Sequence, residues 1–145
     1  RAGAAMRITA GHTEPGAIAT VHVEHEEARI LVSLADQMQA LLAEALESPI
    51  DDDSAVRRVL PDAYRHEPEL ADEWRRLSRR SLVDRKIGFS RTLATALAPV
   101  ATEGAARSVP LTMDAALDWV RGIGDLRLVI ADRMASRLHG RIERR

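Results

Sequence analysis

A stretch of 25 residues without glycine or proline constrains the fold most strongly: EHEEARILVSLADQMQALLAEALES, residues 24–48. Its apolar residues recur at spacings of three and four, which is the period of one face of an α-helix. Glutamates open the segment, where the positive end of the helix dipole favours acidic side chains, and Pro49 closes it. The pattern predicts a long amphipathic helix whose apolar face other elements must cover. That face is formed by Ala28, Leu31, Leu34, Ala35, Met38, Leu41, Leu42 and Ala45.

Short segments rich in β-branched residues precede this helix. MRITA (6–10) and IATVHV (18–23) are predicted strands, and HTEPGA between them supplies the proline and glycine of a turn. VPL (109–111) is a candidate third strand. The predicted fold class is therefore mainly α (α+β): an irregular helical bundle packed over one face of a small N-terminal antiparallel β-hairpin.

The middle of the chain predicts shorter helices. IDDDSAVRRVLPDAY (50–64) indicates a loop and a short helix capped by Asp53 or Ser54. Pro68 is suited to the first turn of the next helix. The apolar stripe of that helix loses phase after Leu77, so we expect a break near Ser78 and a second helix that ends before Pro99 and the loop TEGAARS.

The last predicted helix begins at Thr112 or Met113. Gly122 and Gly124 each cost roughly 1 kcal/mol relative to alanine in a helix, so we expect another helix or a second subunit to approach closely there. This helix is the candidate surface for a homodimer. Arg127 falls near the apolar stripe and is expected to have a buried or half-buried partner. The predicted buried face comprises Ala116, Trp119, Ile123, Leu126, Ile130, Met134 and Leu138.

Length and composition bound the class of protein. The 145 residues fit one domain, which we place at 6–139 with flexible tails at 1–5 and 140–145. Only four residues are aromatic, so the core must consist of aliphatic side chains. The absence of cysteine excludes disulfides and thiolate metal sites within this sequence. No apolar run approaches the roughly 18 residues of a membrane span, and no signal peptide is recognisable, so we expect a cytoplasmic protein without membrane contact.

Charge is distributed unevenly along the chain. Residues 1–56 carry three basic and ten acidic side chains, whereas residues 57–91 carry ten basic and six acidic ones. The segment EWRRLSRRSLVDRK (73–86) alone holds six basic residues. Three interpretations stay open: the solvated face of a helix, a protein-docking surface, or a set of phosphate contacts. The candidate partner-binding residues are Arg75, Arg76, Arg79, Arg80 and Lys86.

Helical geometry favours a solvated position for these side chains. At about 100° per residue, a helix over 68–86 places Arg75, Arg79 and Lys86 opposite its apolar stripe of Leu70, Trp74 and Leu77. No aromatic residues alternate with the arginines to stack on bases, and the pI of 6.6 is not strongly basic. Any DNA contact is therefore expected to be auxiliary.

No segment carries a recognisable catalytic or cofactor motif. HVEHEE places His22, His25 and Glu26 close together, but the segment crosses from strand to helix and lacks the spacing of a helical metal pair. The acidic run at 51–53 lacks the alternating ligands and glycine of a calcium loop. We therefore assign no catalytic, cofactor-binding or metal residues, and we do not expect an enzyme.

Three segments together resemble an actinobacterial family long classed as a domain of unknown function. They are RRVLPDAY (57–64), EWRRLSRRSLVDRK (73–86) and VPLTMDAALDWVRGIGDLRLVIADRM (109–134). The resemblance extends over nearly the whole chain in order. The family includes the oxidative-stress regulator AosR, and its genes often neighbour that of the ClpS protease adaptor.

The resemblance implies a non-enzymatic regulator that acts through protein contacts with a sigma factor or RNA polymerase. The alternative that it implies is an interaction module of ClpS- and Clp-regulated proteolysis. The disulfide switch of the regulator cannot be carried over, because this sequence has no cysteine.

Overall fold

The computed structural model describes residues 6–11, 14–47, 53–60 and 71–144, and the side chains of 71–75 lie outside the described part. Within these ranges the chain forms four helices and one three-stranded sheet. The mainly α fold with a small antiparallel sheet is thereby confirmed. In chain order the elements are β1 (Arg7–Ala10), β2 (Ala19–Val23), α1 (His25–Glu47), α2 (Ser54–Val59), α3 (Ala71–Glu103), β3 (Arg107–Leu111) and α4 (Met113–Ile142).

The sheet has the order β1-β2-β3, and both pairs of strands are antiparallel. β2 lies in the middle and buries Val21 and Val23 against the helices. Pro110 is accommodated because β3 is at the edge of this sheet, where a missing N–H is tolerated. The predicted hairpin and the candidate third strand are both confirmed.

Glu27 connects the sheet to the start of α1. Its Oε1 accepts a hydrogen bond from the backbone N–H of Glu24 at 3.0 Å, which is the reach-back half of a capping box. Its Oε2 accepts from the backbone N–H of Met6 at 2.7 Å. A single carboxylate thus caps the helix and holds the chain just before β1.

The predicted break near Ser78 is wrong, because α3 runs uninterrupted from Ala71 to Glu103. The apolar stripe changes phase since the helix has two neighbours. Val83, Leu93 and Leu97 belong to the buried core, which α1 also lines. Leu82, Lys86 and Phe89 instead turn towards α4. The change of phase marks a change of packing partner rather than a change of backbone.

Pro99 lies inside α3, so the prediction that the helix ends before it is also wrong. Proline removes one helical hydrogen bond, and other contacts hold the final turns. The ring Nδ1 of His25 lies 3.0 Å from the carbonyl oxygen of Val100, one of the last four carbonyls that the helix leaves without a partner. Thr102 Oγ1 donates to the carbonyl of Ala98 at 3.0 Å.

Side chains of the sheet and all four described helices meet in one aliphatic core. α1 buries small residues at regular intervals, which lets α3 pack closely against it. Trp119 is the aromatic residue among the buried core side chains. Members from α1 are Ala28, Ala35, Met38, Leu42 and Ala45.

α2 is fastened to α4 by polar contacts. Asp53 caps α2 by accepting a hydrogen bond from the backbone N–H of Ala55 at 2.9 Å. It also pairs with Arg133 through two hydrogen bonds of 2.7 and 3.1 Å. Asp132 is buried, accepts from Ser54 Oγ at 2.5 Å and lies 3.2 Å from Nε of Arg58.

α4 begins after its N-cap Thr112, as predicted, and continues to Ile142. Residues 140–142, expected in a flexible tail, are therefore helical. Trp119 and Leu126 are buried as predicted, but the expected burial of Ile130, Met134 and Leu138 is wrong: these side chains are 39%, 60% and 60% exposed. In the second half of α4, Asp132 contacts α2. Ile130 and Met134 line an open pocket that Leu34 of α1 also lines, so they are only partly covered.

Asp53 makes the stability of the fold sensitive to acid. Its hydrogen bonds from Arg133 are the main cause of a pKa below the ordinary value. A carboxylate with a lowered pKa stabilises the fold above the ordinary pKa of about 4, and this contribution is lost as pH falls through the lowered value. We expect Asp53→Asn to lose less than about 1 kcal/mol at pH 7, because asparagine keeps the cap and the pair is partly exposed.

The comparison is made by urea unfolding between pH 7 and pH 3. The difference between the native protein and Asp53→Asn should shrink towards zero at the acidic end. Asp53→Ala, which also removes the cap, should cost about 1 kcal/mol more at every pH. A difference that stays constant with pH would contradict the ion-pair assignment.

The two glycines of α4 are expected to respond differently to alanine. A Cβ at Gly122 would lie 3.3 Å from the carbonyl oxygen of Phe89, whereas a Cβ at Gly124 meets nothing within 4 Å. Gly124→Ala should therefore raise the free energy of unfolding by up to about 1 kcal/mol through helix propensity. Gly122→Ala should be less stable than Gly124→Ala in thermal unfolding, because α3 must give way. Equal stabilities would contradict the close approach.

Candidate partner-binding surface

The arginines predicted to bind a partner do not share one face of α3. Arg76 and Arg80 are exposed, whereas Arg79 is half-buried. Arg79 Nη2 donates to the carbonyl oxygen of Ala45 at 3.2 Å, near the C-terminal end of α1. Arg79 therefore joins α3 to α1 and is a structural residue. The side chain of Arg75 lies outside the described residues.

Lys86 is not on a solvated face, contrary to the helical projection. Its Nζ lies 2.6 Å from Asp125 Oδ1 of α4, and the two side chains are only 16% and 8% exposed. The projection failed because the helix turns this side towards α4. Lys86 thus contributes to the junction of α3 and α4 rather than to an open docking surface.

Two arginines that the sequence analysis missed complete the exposed charge of α3. Arg85 and Arg91 are exposed on the same helix as Arg76 and Arg80, and we call these four residues the basic face. Helical spacing alone did not select them, because the region that faces solvent depends on where α1 and α4 pack.

A shallow depression lies within the basic face. Arg80 and Arg85 line it together with Leu77, Ser81 and Asp84, and it encloses about 460 Å³. Leu77 is 61% exposed, although the sequence pattern placed it in an apolar stripe. The exposed Leu77 thus lies between Arg80 and Arg85, with Asp84 beside them. Exposed apolar side chains and arginines are both common in protein interfaces.

A deeper cleft separates α3 from α4 and has a volume of about 750 Å³. Apolar residues from both helices line it, and cationic side chains surround them. The guanidinium of Arg121 lies over the ring of Phe89, 5.6 Å from its centroid, in cation–π geometry. Arg85 lines both the cleft and the depression, so the two adjoin at this residue. The α3–α4 cleft is formed by Leu82, Arg85, Lys86, Phe89, Arg121, Gly124, Asp125, Arg127, Leu128 and Ala131.

Asp125 keeps one acceptor free within this cleft. Its Oδ1 pairs with Lys86, but Oδ2 is buried and receives no hydrogen bond from the described residues. A buried acceptor without a donor is costly, so this oxygen lowers the net stability that the pair contributes. Arg127, for which a buried partner was expected, is exposed at the edge of the cleft; that expectation is wrong.

The histidines considered as metal ligands are engaged in hydrogen bonds. His22 Nδ1 lies 2.7 Å from Ser108 Oγ, which connects β2 to β3, and Nε2 lies 3.3 Å from Thr9 Oγ1. His25 contacts α3 as described above. Over the described ranges, no group of three or more histidine, aspartate and glutamate side chains is arranged to hold a metal ion. No helix in the described part of the chain is long and apolar enough to cross a membrane.

Among known proteins, the chain matches one family model but no curated protein or solved structure. Residues 5–144 match the family model described as Domain of unknown function (DUF2017). The match covers nearly every residue, as the resemblance of the three quoted segments implied.

Removal of one partner of the Lys86–Asp125 pair is expected to destabilise the α3–α4 junction. Lys86→Met should cost about 3 kcal/mol, because it leaves a buried carboxylate without its cation. Lys86→Met combined with Asp125→Leu should recover most of that loss, since apolar pairs often replace buried ion pairs without net cost.

Urea unfolding of the native protein, both single variants and the double variant gives the coupling energy of the pair. Arg80→Ala serves as the surface control and should change stability by less than about 0.5 kcal/mol. Additive effects of the two substitutions would show that the residues do not interact in solution.

Proposed function

The chain belongs to the DUF2017 family of domains of unknown function, and we propose that it is a non-enzymatic cytoplasmic regulator that binds a sigma factor or RNA polymerase. The observation that carries the proposal is the basic face beside the exposed side chain of Leu77. Arg80, Arg85 and Arg91 make no ion pair with another described residue, so their charges are available to a partner.

The chemistry of this surface favours an acidic protein over nucleic acid. Arginines around an apolar side chain match carboxylates around an apolar patch, and they accelerate association by electrostatic steering. None of the described residues that line the depression is aromatic, so this part of the surface offers no ring to stack on unpaired bases. Phosphate contacts by Arg76, Arg80 or Arg91 would then be auxiliary to the protein contact.

The resemblance to the family of AosR supports the choice of partner. We extend the proposal to an actinobacterial origin and to a role in the stress response, both of which rest on that resemblance. Regulation here would have to differ from the disulfide switch of AosR, because the sequence contains no cysteine. Regulation through the amount of this protein in the cell, or through competition between partners for the basic face, is compatible with this surface.

The test begins with affinity purification of tagged protein from its native lysate after nuclease treatment. We expect the triple variant Arg80→Glu, Arg85→Glu and Arg91→Glu to lose RNA polymerase and sigma factor. Its free energy of unfolding should stay within about 0.5 kcal/mol of that of the native protein. Reversal of exposed charges should weaken association and make it less dependent on salt.

The matched control is Arg7→Glu, an equally exposed arginine on β1. It should recover the partner as well as the native protein does. If polymerase is recovered equally with the triple variant, the basic face is not the docking surface. Recovery of ClpS or Clp subunits in place of polymerase would establish the alternative, a module of regulated proteolysis.

A further inference from the structure

One side of α4 carries an apolar stripe that the described elements of the fold leave uncovered. Its members recur at spacings of three and four along the whole helix and fall within an arc of about 80°. Val120, Leu138 and Ile142 are 70%, 60% and 73% exposed. We call this set the outer stripe: Met113, Leu117, Val120, Gly124, Leu128, Ala131, Ala135, Leu138 and Ile142.

The outer stripe is distinct from the side of α4 that packs into the core. The buried side of α4 carries Trp119, Gly122 and Leu126, which lie on the opposite side of the helix. The α3–α4 cleft reaches the outer stripe only at Gly124, Leu128 and Ala131. Two independent apolar faces on one helix indicate two sets of partners, one inside the chain and one outside it.

Gly124 gives a second indication of an external partner. Glycine lowers helix propensity, and no atom of the described residues lies within 4 Å of where its Cβ would be, so no contact within the described part of the chain requires the glycine. Small residues at the centre of a helix face allow another backbone to approach closely. Gly124 and Ala131 flank Leu128 at the centre of the stripe, whereas its ends carry large side chains.

We propose that a second copy of this chain packs antiparallel along the outer stripe, with the two-fold axis beside Leu128. This arrangement places Met113 opposite Ile142 of the second copy and Leu117 opposite Leu138 of the second copy. The central small residues then face each other. Antiparallel pairing therefore matches large side chains with large ones at both ends and lets the backbones approach in the middle.

Charge also selects the antiparallel direction. The first turn of α4 carries Asp114, whereas its last turn carries His139 and Arg141. Antiparallel packing brings the acidic end of one helix beside the basic end of the other and opposes the two helix dipoles. Parallel packing would place like charges together at both ends.

The size of the stripe sets the expected strength of the dimer. A strip about 45 Å long and about 10 Å wide offers on the order of 450 Å² per copy. Two copies with their flanking side chains approach the roughly 1,200 Å² of the smaller specific interfaces. Arg127 of each copy lies near the axis, and this like-charge contact weakens association. We therefore expect a dissociation constant in the micromolar range.

Cysteine crosslinking tests the arrangement without background, because the chain contains no cysteine. Leu128→Cys should form a disulfide dimer with itself under mild oxidation. Leu117→Cys alone should not, but it should crosslink when mixed with Leu138→Cys. The control is Leu77→Cys, an exposed position on α3 that lies away from the stripe. It should give no more dimer than random collision.

Each result supports or overturns the proposal. Self-crosslinking of Leu117→Cys as strong as that of Leu128→Cys would show a parallel or unspecific arrangement and would overturn it. Light scattering after size exclusion should show native dimer at about 100 μM, and Val120→Glu should weaken self-association by about tenfold or more. Leu77→Glu should leave it unchanged. A native protein that stays monomeric at that concentration would also overturn the proposal.

The inference is independent of the proposed regulatory function. Arg80 and Arg91 lie on α3 outside the α3–α4 cleft that reaches the outer stripe, so charge reversal of these two residues and substitution of Val120 test different surfaces. Loss of self-association with polymerase binding intact, or the reverse, separates the two hypotheses.

Discussion

The ion pair between Lys86 and Asp125 is the contact on which the arrangement of α3 and α4 depends. It lies at the junction of the two longest helices, and both side chains are largely withdrawn from solvent. Such a pair contributes more to specificity than to net stability, because desolvation offsets much of the attraction. The register that joins Nζ to the carboxylate also brings Gly122 against the carbonyl of Phe89. The pair therefore determines which sides of both helices remain exposed.

The same junction explains how a helix with an irregular pattern stays whole. α3 packs its core residues against α1 and turns a separate set towards α4, so its apolar stripe shifts without a break. The part of α3 that contacts neither α1 nor α4 is exposed to solvent, and it includes the arginines of the basic face. The proposed docking surface is thus the side of α3 that remains exposed after α1 and α4 have packed against the helix. Arg79 and Lys86 are not part of it, because Arg79 contacts α1 and Lys86 contacts α4.

Different sides of α4 likewise face different neighbours. One side enters the core through Trp119 and Leu126, another holds α2 through Asp132 and Arg133, and a third stays apolar and exposed. The apolar residues of the outer stripe recur in the sequence at spacings of three and four. Those spacings are shared by both apolar faces, so periodicity alone cannot say which one is buried. The predicted burial of Leu138 failed for that reason, whereas Ile130 and Met134 line an open pocket beside α1.

Local chemistry in the sequence determined the mainly α class, the hairpin with its third strand, the long first helix, and the caps at Asp53 and Thr112. Each depends on neighbours within a few residues, where periodicity and hydrogen-bonding geometry act directly. Tertiary packing decided the rest: the continuity of α3 through Ser78 and Pro99, the burial of Lys86, and the exposure of Arg127 and Leu77. These outcomes depend on which distant segment lies against each helix face, and an amphipathic pattern does not encode the identity of its partner.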